Sequence, residues 1–379
     1  MTTGDAPALA TRPLLDWLLR QHPNTPKKRA KQWIMAGRVS INGVIIRQPN
    51  QPIPDPQDNL TLLGRQATTL DCGPAGWQIH PRVNLLYLDA ALAVVNKGPG
   101  LLAVPAEPDD LSALSILADF LGGRLRAHDR GLAGRGRSLP PAYRQLRPLP
   151  VHRLDQYTSG VFSMAMNPAA RQRLIEQLKA HTMHREYVAY VEGRPAQPKG
   201  TWRNWLKSSP DELRQFVITD AEAKILNRPQ RELRRPIEPA ARPDADRDAT
   251  VAPRQRARRP EEESVQEATT HYEVIAEFPL TGGTGVVTKL RLRLETGRKH
   301  QIRAQAAHAG LPLVGDRTYH PKYHNEAPRP PRIEFPRQAL HAAVLTLEHP
   351  DRPGTRMTWT AALPKDLQQL ETALRSGRW

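Results

Sequence analysis

The sequence predicts an α+β chain in two parts, and three observations carry that prediction. Residues 11–66 combine two helical patterns with a short hairpin. Further on, Val161–Met166 and Lys289–Leu294 alternate with the period of two that marks strands. A short helical pattern then follows His300 and is closed by Gly310 and Pro312, the usual C-terminal punctuation.

Residues 1–10 read as a flexible tail. In residues 11–66, Leu14, Leu15, Leu18 and Leu19 form a helical stripe. A second helix opens at Thr25-Pro26, a cap and a first-turn proline, and stops at Gly37. It is expected to bury Ala30, Trp33 and Ile34, while Lys27, Lys28, Arg29 and Lys31 crowd its start. Val39-Ser40-Ile41 and Val44-Ile45-Ile46 flank Asn42-Gly43, a strong hairpin signal. Residues 67–84, with Gly73, Pro74 and Gly76, read as a linker, and residues 85–379 as the larger domain. Within that domain, residues 122–150 are rich in Arg, Gly and Pro and read as a basic loop. Residues 227–260 hold ten Arg, five acidic residues and six Pro, but only Leu233, Ile237 and Val251 as large aliphatics. Such a segment buries too little to fold by itself, so it reads as an insertion.

Of the 379 residues, 55 are Lys or Arg and 38 are Asp or Glu, a net charge of +17. That balance points to a polyanionic partner, because neutralising phosphates releases counterions. A single cysteine, Cys72, excludes an internal disulfide framework and suits a reducing compartment. No apolar run is long enough to span a membrane, and the first residues lack a basic-then-apolar leader. The expectation is a soluble, cytoplasmic protein acting as a monomer. His181 and His184 stand three apart, but without neighbouring carboxylates or thiols they read as surface histidines, and no metal or cofactor is expected.

Two stretches carry the chemistry. Residues 151–160 read Val-His-Arg-Leu-Asp-Gln-Tyr-Thr-Ser-Gly, with Asp155 in a tight turn that leads into the Val161–Met166 strand. A carboxylate held between loop and buried strand is rigid, which suits a catalytic group; alone, the motif also fits a surface turn. The second stretch, Thr296-Gly297-Arg298-Lys299-His300-Gln301-Ile302-Arg303, follows a strand with Leu290, Leu292 and Leu294 on one face and leads to Gly310–Asp316. At a spacing of three, His300 and Arg303 share a helix face.

Together these stretches resemble the RluA-type pseudouridine synthases, whose marks are a His-Arg-Leu-Asp loop and a Gly-Arg-x-His-Gln-(Ile/Leu)-Arg segment. Leu86–Asp89 with Ala93–Leu101, Arg185–Gly193, and Leu340–Ala342 with His349-Pro350 match further family segments in order. The helix–helix–hairpin unit of residues 11–66 resembles the RNA-binding module named after ribosomal protein S-four. The chain departs from the family in having Lys97-Gly98-Pro99-Gly100 for Lys-Pro-x-Gly, Lys299 for the usual Thr, and Val104-Pro105 for His-Pro.

The resemblance implies a mixed, mainly antiparallel sheet with flanking helices, and cofactor-free isomerisation of uridine in RNA. Asp155 becomes the catalytic carboxylate, acting beside the ribose as nucleophile at C1′ or base at C2′. Arg303 becomes the cation that keeps Asp155 ionised when a base docks. Tyr187 becomes the stacking tyrosine, also suited to help remove the C5 proton, although Tyr190 in the same strand reads similarly. Arg153 would fill the gap left by the flipped base or grip a phosphate, and Ile302 would pack on the uracil edge. Lys97 reads as a fold element of the opening loop. Lys27, Lys28, Arg29 and Lys31 are the expected RNA contacts of the small module. Ribosomal RNA of the large subunit is the expected target, with tRNA as the alternative. A catalytically silent RNA-binding or ribosome-assembly protein is the reading from another class.

Overall fold

A computed structural model describes residues 11–35, 39–41, 44–46, 48–54, 60–62, 69–73, 75–125, 141–211, 213–226, 265–280, 285–323 and 333–377. The expected tail at 1–10, Gly37, Asn42-Gly43, most of the basic loop and the Arg/Pro-rich insertion lie outside these residues. The chain divides into two compact units, Met1–Leu70 and Asp71–Trp379.

In the first unit, helices α1 (Leu14–Gln21) and α2 (Lys27–Met35) pack on a small sheet of β1 (Val39–Ile41), β2 (Val44–Ile46) and β3 (Leu60–Leu62). β1 pairs antiparallel with β2, Val39 opposite Ile46, as the hairpin pattern requires. Leu14, Leu15, Leu18, Ala30 and Ile34 are buried with Val39, Ile53 and Leu60, and Trp33 and Leu19 pack on the edge of that core. Pro26 accepts the first helical hydrogen bonds, from the N–H of Arg29 and Ala30, so the proline sits where its missing N–H costs nothing. Lys27, Lys28, Arg29 and Lys31 are all exposed.

The second unit is built on one large sheet. Its main strands are β4 (Val83–Leu88), β5 (Leu92–Lys97), β6 (Ser159–Ala165), β7 (His184–Glu192), β8 (Lys199–Ser208), β9 (Gln215–Ile218), β10 (Gln266–Pro279), β11 (Val286–Leu294), β12 (Leu340–Glu348) and β13 (Arg356–Thr360). Their order is β9-β8-β10-β11-β7-β12-β6-β5-β4, with β13 on β12. All these pairings are antiparallel except β6 with β12, where Ser159 faces His341 and Gly160 faces Ala342. The sheet is therefore mixed and mainly antiparallel. The extended chain begins earlier than the linker pattern suggested: Trp77–His80 already pairs with β4.

β6 is buried at every position, on both faces. Its alternation separates two interior faces, because β6 lies mid-sheet between β5 and β12. β11 keeps the ordinary in-out pattern, with Leu290 and Leu292 buried and Arg291 and Arg293 exposed. Helix α3 (Ala113–Leu121) is capped by Ser112, whose hydroxyl accepts the N–H of Ser115. Helix α4 (Pro168–Lys179) is likewise capped by Asn167, and it buries Ala170 and Leu174 against β4, β5, β6 and β12. Helix α5 (Asp220–Leu226) and helix α6 (Gln301–His308) flank the β8–β10 side. Helix α7 (Lys365–Ser376) buries Leu367, Leu370 and Leu374 against Tyr190, Phe278 and Val287. Each such leucine stabilises the fold by about 1.5–3 kcal/mol. Among the described residues, no helix is long and apolar enough to cross a membrane.

Candidate active site

The turn carrying Asp155 is fixed through its main chain. The N–H of Thr158 donates to Asp155 O at 3.0 Å, closing the turn. The carbonyl of the next residue, Gln156, accepts from Lys97 Nζ at 2.9 Å, and that ammonium also donates to Gly98 O and Leu101 O. The carbonyl after it, Tyr157 O, accepts from Arg337 Nη1 at 3.1 Å. Arg337 is itself locked by Asp366 at the start of α7, at 2.6 and 3.0 Å. Two buried cations thus hold two consecutive carbonyls behind the carboxylate. Burial pushes the Lys97 ammonium down to about 7, and the Asp155 charge opposes that shift.

The chain leaves this turn through Gly160, whose φ of +119° is open only to glycine. A Cβ there would stand 2.1 Å from Ala342 O, so no side chain fits where β6 meets β12.

The facing segment is held through side chains. His300 has φ 52° and caps α6, so the helix begins at Gln301. His300 and Arg303 therefore converge through cap geometry, not through a shared helical face as their spacing suggested. Gln301 fixes the approach: its amide oxygen accepts from Thr296 Oγ1 and Arg298 N–H, and its amide nitrogen donates to Thr269 O and Thr270 Oγ1. At Gly297 a Cβ would meet Arg185 Nη1 at 2.3 Å, so a side chain there would displace the Arg185 guanidinium.

Arg303 forms a two-pronged pair with the fully buried Asp316, Nε to Oδ2 at 2.7 Å and Nη2 to Oδ1 at 2.8 Å. Its remaining prong, Nη1, reaches Asp155 Oδ2 at 3.3 Å. Burial alone would lower the Arg303 pKa, but the hydrogen bonds and charge of Asp316, with the charge of Asp155, hold it above the usual range. His300 Nε2 lies 3.9 Å from Asp155 Oδ1. Burial pushes the His300 imidazole down to about 4, against the pull of Asp155.

Asp155, His300 and Arg303 line a cleft of about 770 Å³, a volume suited to a nucleotide-sized ligand. Tyr187 forms part of its wall; β7 carries a bulge between Glu186 and Tyr187, a feature that re-aims side chains at functional sites. Burial, foremost, pushes the Tyr187 phenol up, so it stays protonated at neutral pH. Ile302 is buried in the lining, and Arg153 stands exposed at it, with Arg171, Lys179 and Arg298 adding positive charge. The cleft thus gathers Arg153, Asp155, Tyr187, Ile302 and Arg303. The four basic residues of α2 belong to the other unit. Sequence reasoning missed Asp316, Tyr319 and Arg337 as supports; the one available signal was that Asp316 closes the Gly310–Asp316 segment.

A carboxylate thus faces an arginine in a basic cleft set mid-sheet in this fold. The RNA pseudouridylate synthase family matches residues 91–308, more than half of the chain, and the chain belongs to that family. The S4 domain family matches residues 12–59, so the small unit is an S4 domain.

Among relatives, the chain is 29% identical over 370 residues to the ribosomal large subunit pseudouridine synthase D of Yersinia pestis, covering 93% of this chain and 88% of that protein. It is also 29% identical over 349 residues to the RNA pseudouridine synthase YlyB of Bacillus subtilis (strain 168), covering 92% and 89%. Among solved structures, it matches human RNA pseudouridylate synthase domain containing 4 with a TM-score of 0.47 at 20% identity, covering 77% of this chain and 92% of that one.

Proposed function

We propose that this pseudouridine synthase acts on specific uridines of large-subunit ribosomal RNA, in the cytoplasm and as a monomer, with Asp155 as its catalytic carboxylate. The observation that carries the assignment is Arg303, locked by Asp316 and presenting its free prong to Asp155 Oδ2 at 3.3 Å. The large-subunit target is supported by the Yersinia pestis relative and by the S4 domain.

In the reaction the N1–C1′ bond breaks, the uracil turns, and C5 bonds to C1′. The C5 proton leaves and N1 gains one, so no electrons are exchanged overall. Asp155 works beside the ribose, as nucleophile at C1′ or base at C2′. To reach it the uridine must leave its stack, at a cost of roughly a few kcal/mol. The Tyr187 ring offers a face that recovers part of that cost, and as a neutral phenol it serves first as a stacking surface. Ile302 packs on the uracil edge. Arg153, exposed at the cleft, fills the vacated stack or holds a flanking phosphate. Arg303 keeps the carboxylate ionised once the docked base has displaced water.

Mapping pseudouridines in total RNA with and without this gene tests the target. The expected outcome is loss of specific large-subunit positions; loss confined to tRNA would move the assignment there. The S4 domain has its own test. Replacing Lys27, Lys28, Arg29 and Lys31 together by Ala should weaken RNA binding and flatten its salt dependence, by a log–log slope of about 0.7–0.9 for each phosphate no longer neutralised. The effect should fall on KM more than on kcat, since cations on phosphates position RNA without reading it. An unchanged salt slope would make the module a structural appendage.

A further inference from the structure

Asp155 has two neighbours across the cleft, and they differ in kind. Arg303 is a cation committed to Asp316 and to Asp155 Oδ2. His300 approaches the other oxygen, Oδ1, and its hydrogen bonding makes it a neutral donor. Tyr319 Oη accepts the N–H of Gln215 at 2.7 Å and lies 3.0 Å from His300 Nδ1. We assign the hydroxyl's own proton to Nδ1, the ring nitrogen 3.0 Å away, and that assignment sets the tautomer. The imidazole proton therefore sits on Nε2, the nitrogen that faces Asp155. The low pKa imposed by burial agrees with a neutral ring. The backbone at His300 is also unusual, with φ 52°, a conformation that persists in a non-glycine residue where its surroundings fix it.

The gap between His300 Nε2 and Asp155 Oδ1 is 3.9 Å, too long for a direct hydrogen bond. An oxygen at an ordinary bond length of about 2.8 Å from each fits between them. That oxygen must accept from Nε2–H and donate to a carboxylate. The uracil carbonyls only accept, and would be repelled by Asp155. A hydroxyl does both. Inside an RNA chain the 3′ and 5′ oxygens are esterified, so the 2′-hydroxyl is the one hydroxyl the target nucleotide has left. It also adjoins C1′ and C2′, where Asp155 acts.

We propose that His300 and Asp155 together clamp the 2′-hydroxyl of the target nucleotide, Nε2–H donating to O2′ and O2′–H donating to Oδ1. His300 and Asp155 are then the pair by which the site tells ribose from deoxyribose, a distinction that rests on this hydroxyl. The clamp depends on Asp155 being the catalytic carboxylate.

The test uses the full-length protein and a synthetic RNA stem-loop carrying a uridine identified by mapping, made with uridine or 2′-deoxyuridine at that one position. Single-turnover kinetics give the half-saturating enzyme concentration for the uridine form, and competition against it gives the inhibition constant of the deoxy form. In the wild type the deoxy form should bind about tenfold more weakly, as expected for losing a hydrogen bond to a charged group. His300→Asn tolerates the left-handed backbone and keeps a polar group beside Tyr319, but falls short of Asp155. It should lower the ribose-to-deoxyribose ratio several-fold without abolishing it, because O2′–H still donates to Asp155. His300→Gln places an amide nitrogen close to the Nε2 position and should restore most of the ratio.

A wild-type ratio of one, or an unchanged ratio in His300→Asn, overturns the clamp. Should the His300 variants fail to fold, Tyr319→Phe must lower the ratio by freeing the tautomer; an unchanged ratio there has the same meaning. Full turnover by Asp155→Asn would instead overturn the catalytic assignment beneath the proposal, so the two failures remain distinct.

Discussion

The two sides of the cleft are made rigid in opposite ways. The Asp155 turn is gripped by its backbone, with Lys97 on the carbonyl of Gln156 and Arg337 on that of Tyr157. The Arg303 side is gripped by its side chains, with Asp316 on the guanidinium and Tyr319 on the His300 imidazole. The difference follows from what each side must deliver. The carboxylate has to accept a ligand, so its oxygens are left to the cleft and the restraint falls behind it. The cation has to keep one direction while its charge is opposed, so two of its three nitrogens are spent on a permanent partner.

Breaking the side-chain grip at its centre should have the largest effect. Arg303→Ala strands the Asp316 charge in the interior and removes the counter-charge of Asp155. Loss of one partner of a buried pair costs about 3–5 kcal/mol of stability. Turnover should fall by at least about a hundredfold in single-turnover assays on protein confirmed folded by circular dichroism. Wild-type turnover at every pH would mean that another cation serves Asp155. Asp316→Asn is gentler, since it keeps the shape and one acceptor but gives up the charge. Losing one charge-assisted bond of the pair should lower turnover roughly ten- to a hundredfold, with RNA affinity little changed. Equal loss of affinity and turnover would show that Asp316 supports the fold more than the direction of Arg303.

The backbone grip should respond differently. Lys97→Met keeps the volume and removes three donors, leaving the carbonyls of Gly98, Leu101 and Gln156 unpaired. Each orphaned carbonyl costs about 1–3 kcal/mol, but relief of the buried charge offsets part of that sum. A net loss of roughly 1–3 kcal/mol in urea unfolding is expected, with turnover within about tenfold of wild type. A collapse of turnover without loss of stability would place Lys97 in the chemistry and erase the contrast between the two sides.

The same contrast explains what the sequence made legible. The leucine stripe of α1, the hairpin of β1 and β2 and the leucines of β11 obey local periodicity, so they could be read directly. Asp155, Tyr187, Ile302 and Arg303 were readable because they stand in ordered motifs. Their supports were not, because those depend on long-range meetings: Arg337 reaches Tyr157 across 180 positions. The backbone at His300 was equally hidden, since spacing suggests a helix face and cannot reveal a left-handed cap. Burial of β6 on both faces reflects its place mid-sheet, a property of topology that period-two alternation does not encode.

The most direct measurement is Asp155→Asn on the mapped RNA, because it preserves shape and the braces behind the turn while removing only the charge. No detectable pseudouridine is expected under conditions in which the wild type converts the site fully, with RNA affinity kept within a few-fold. Turnover near the wild-type rate would contradict the assignment of Asp155 as the catalytic carboxylate.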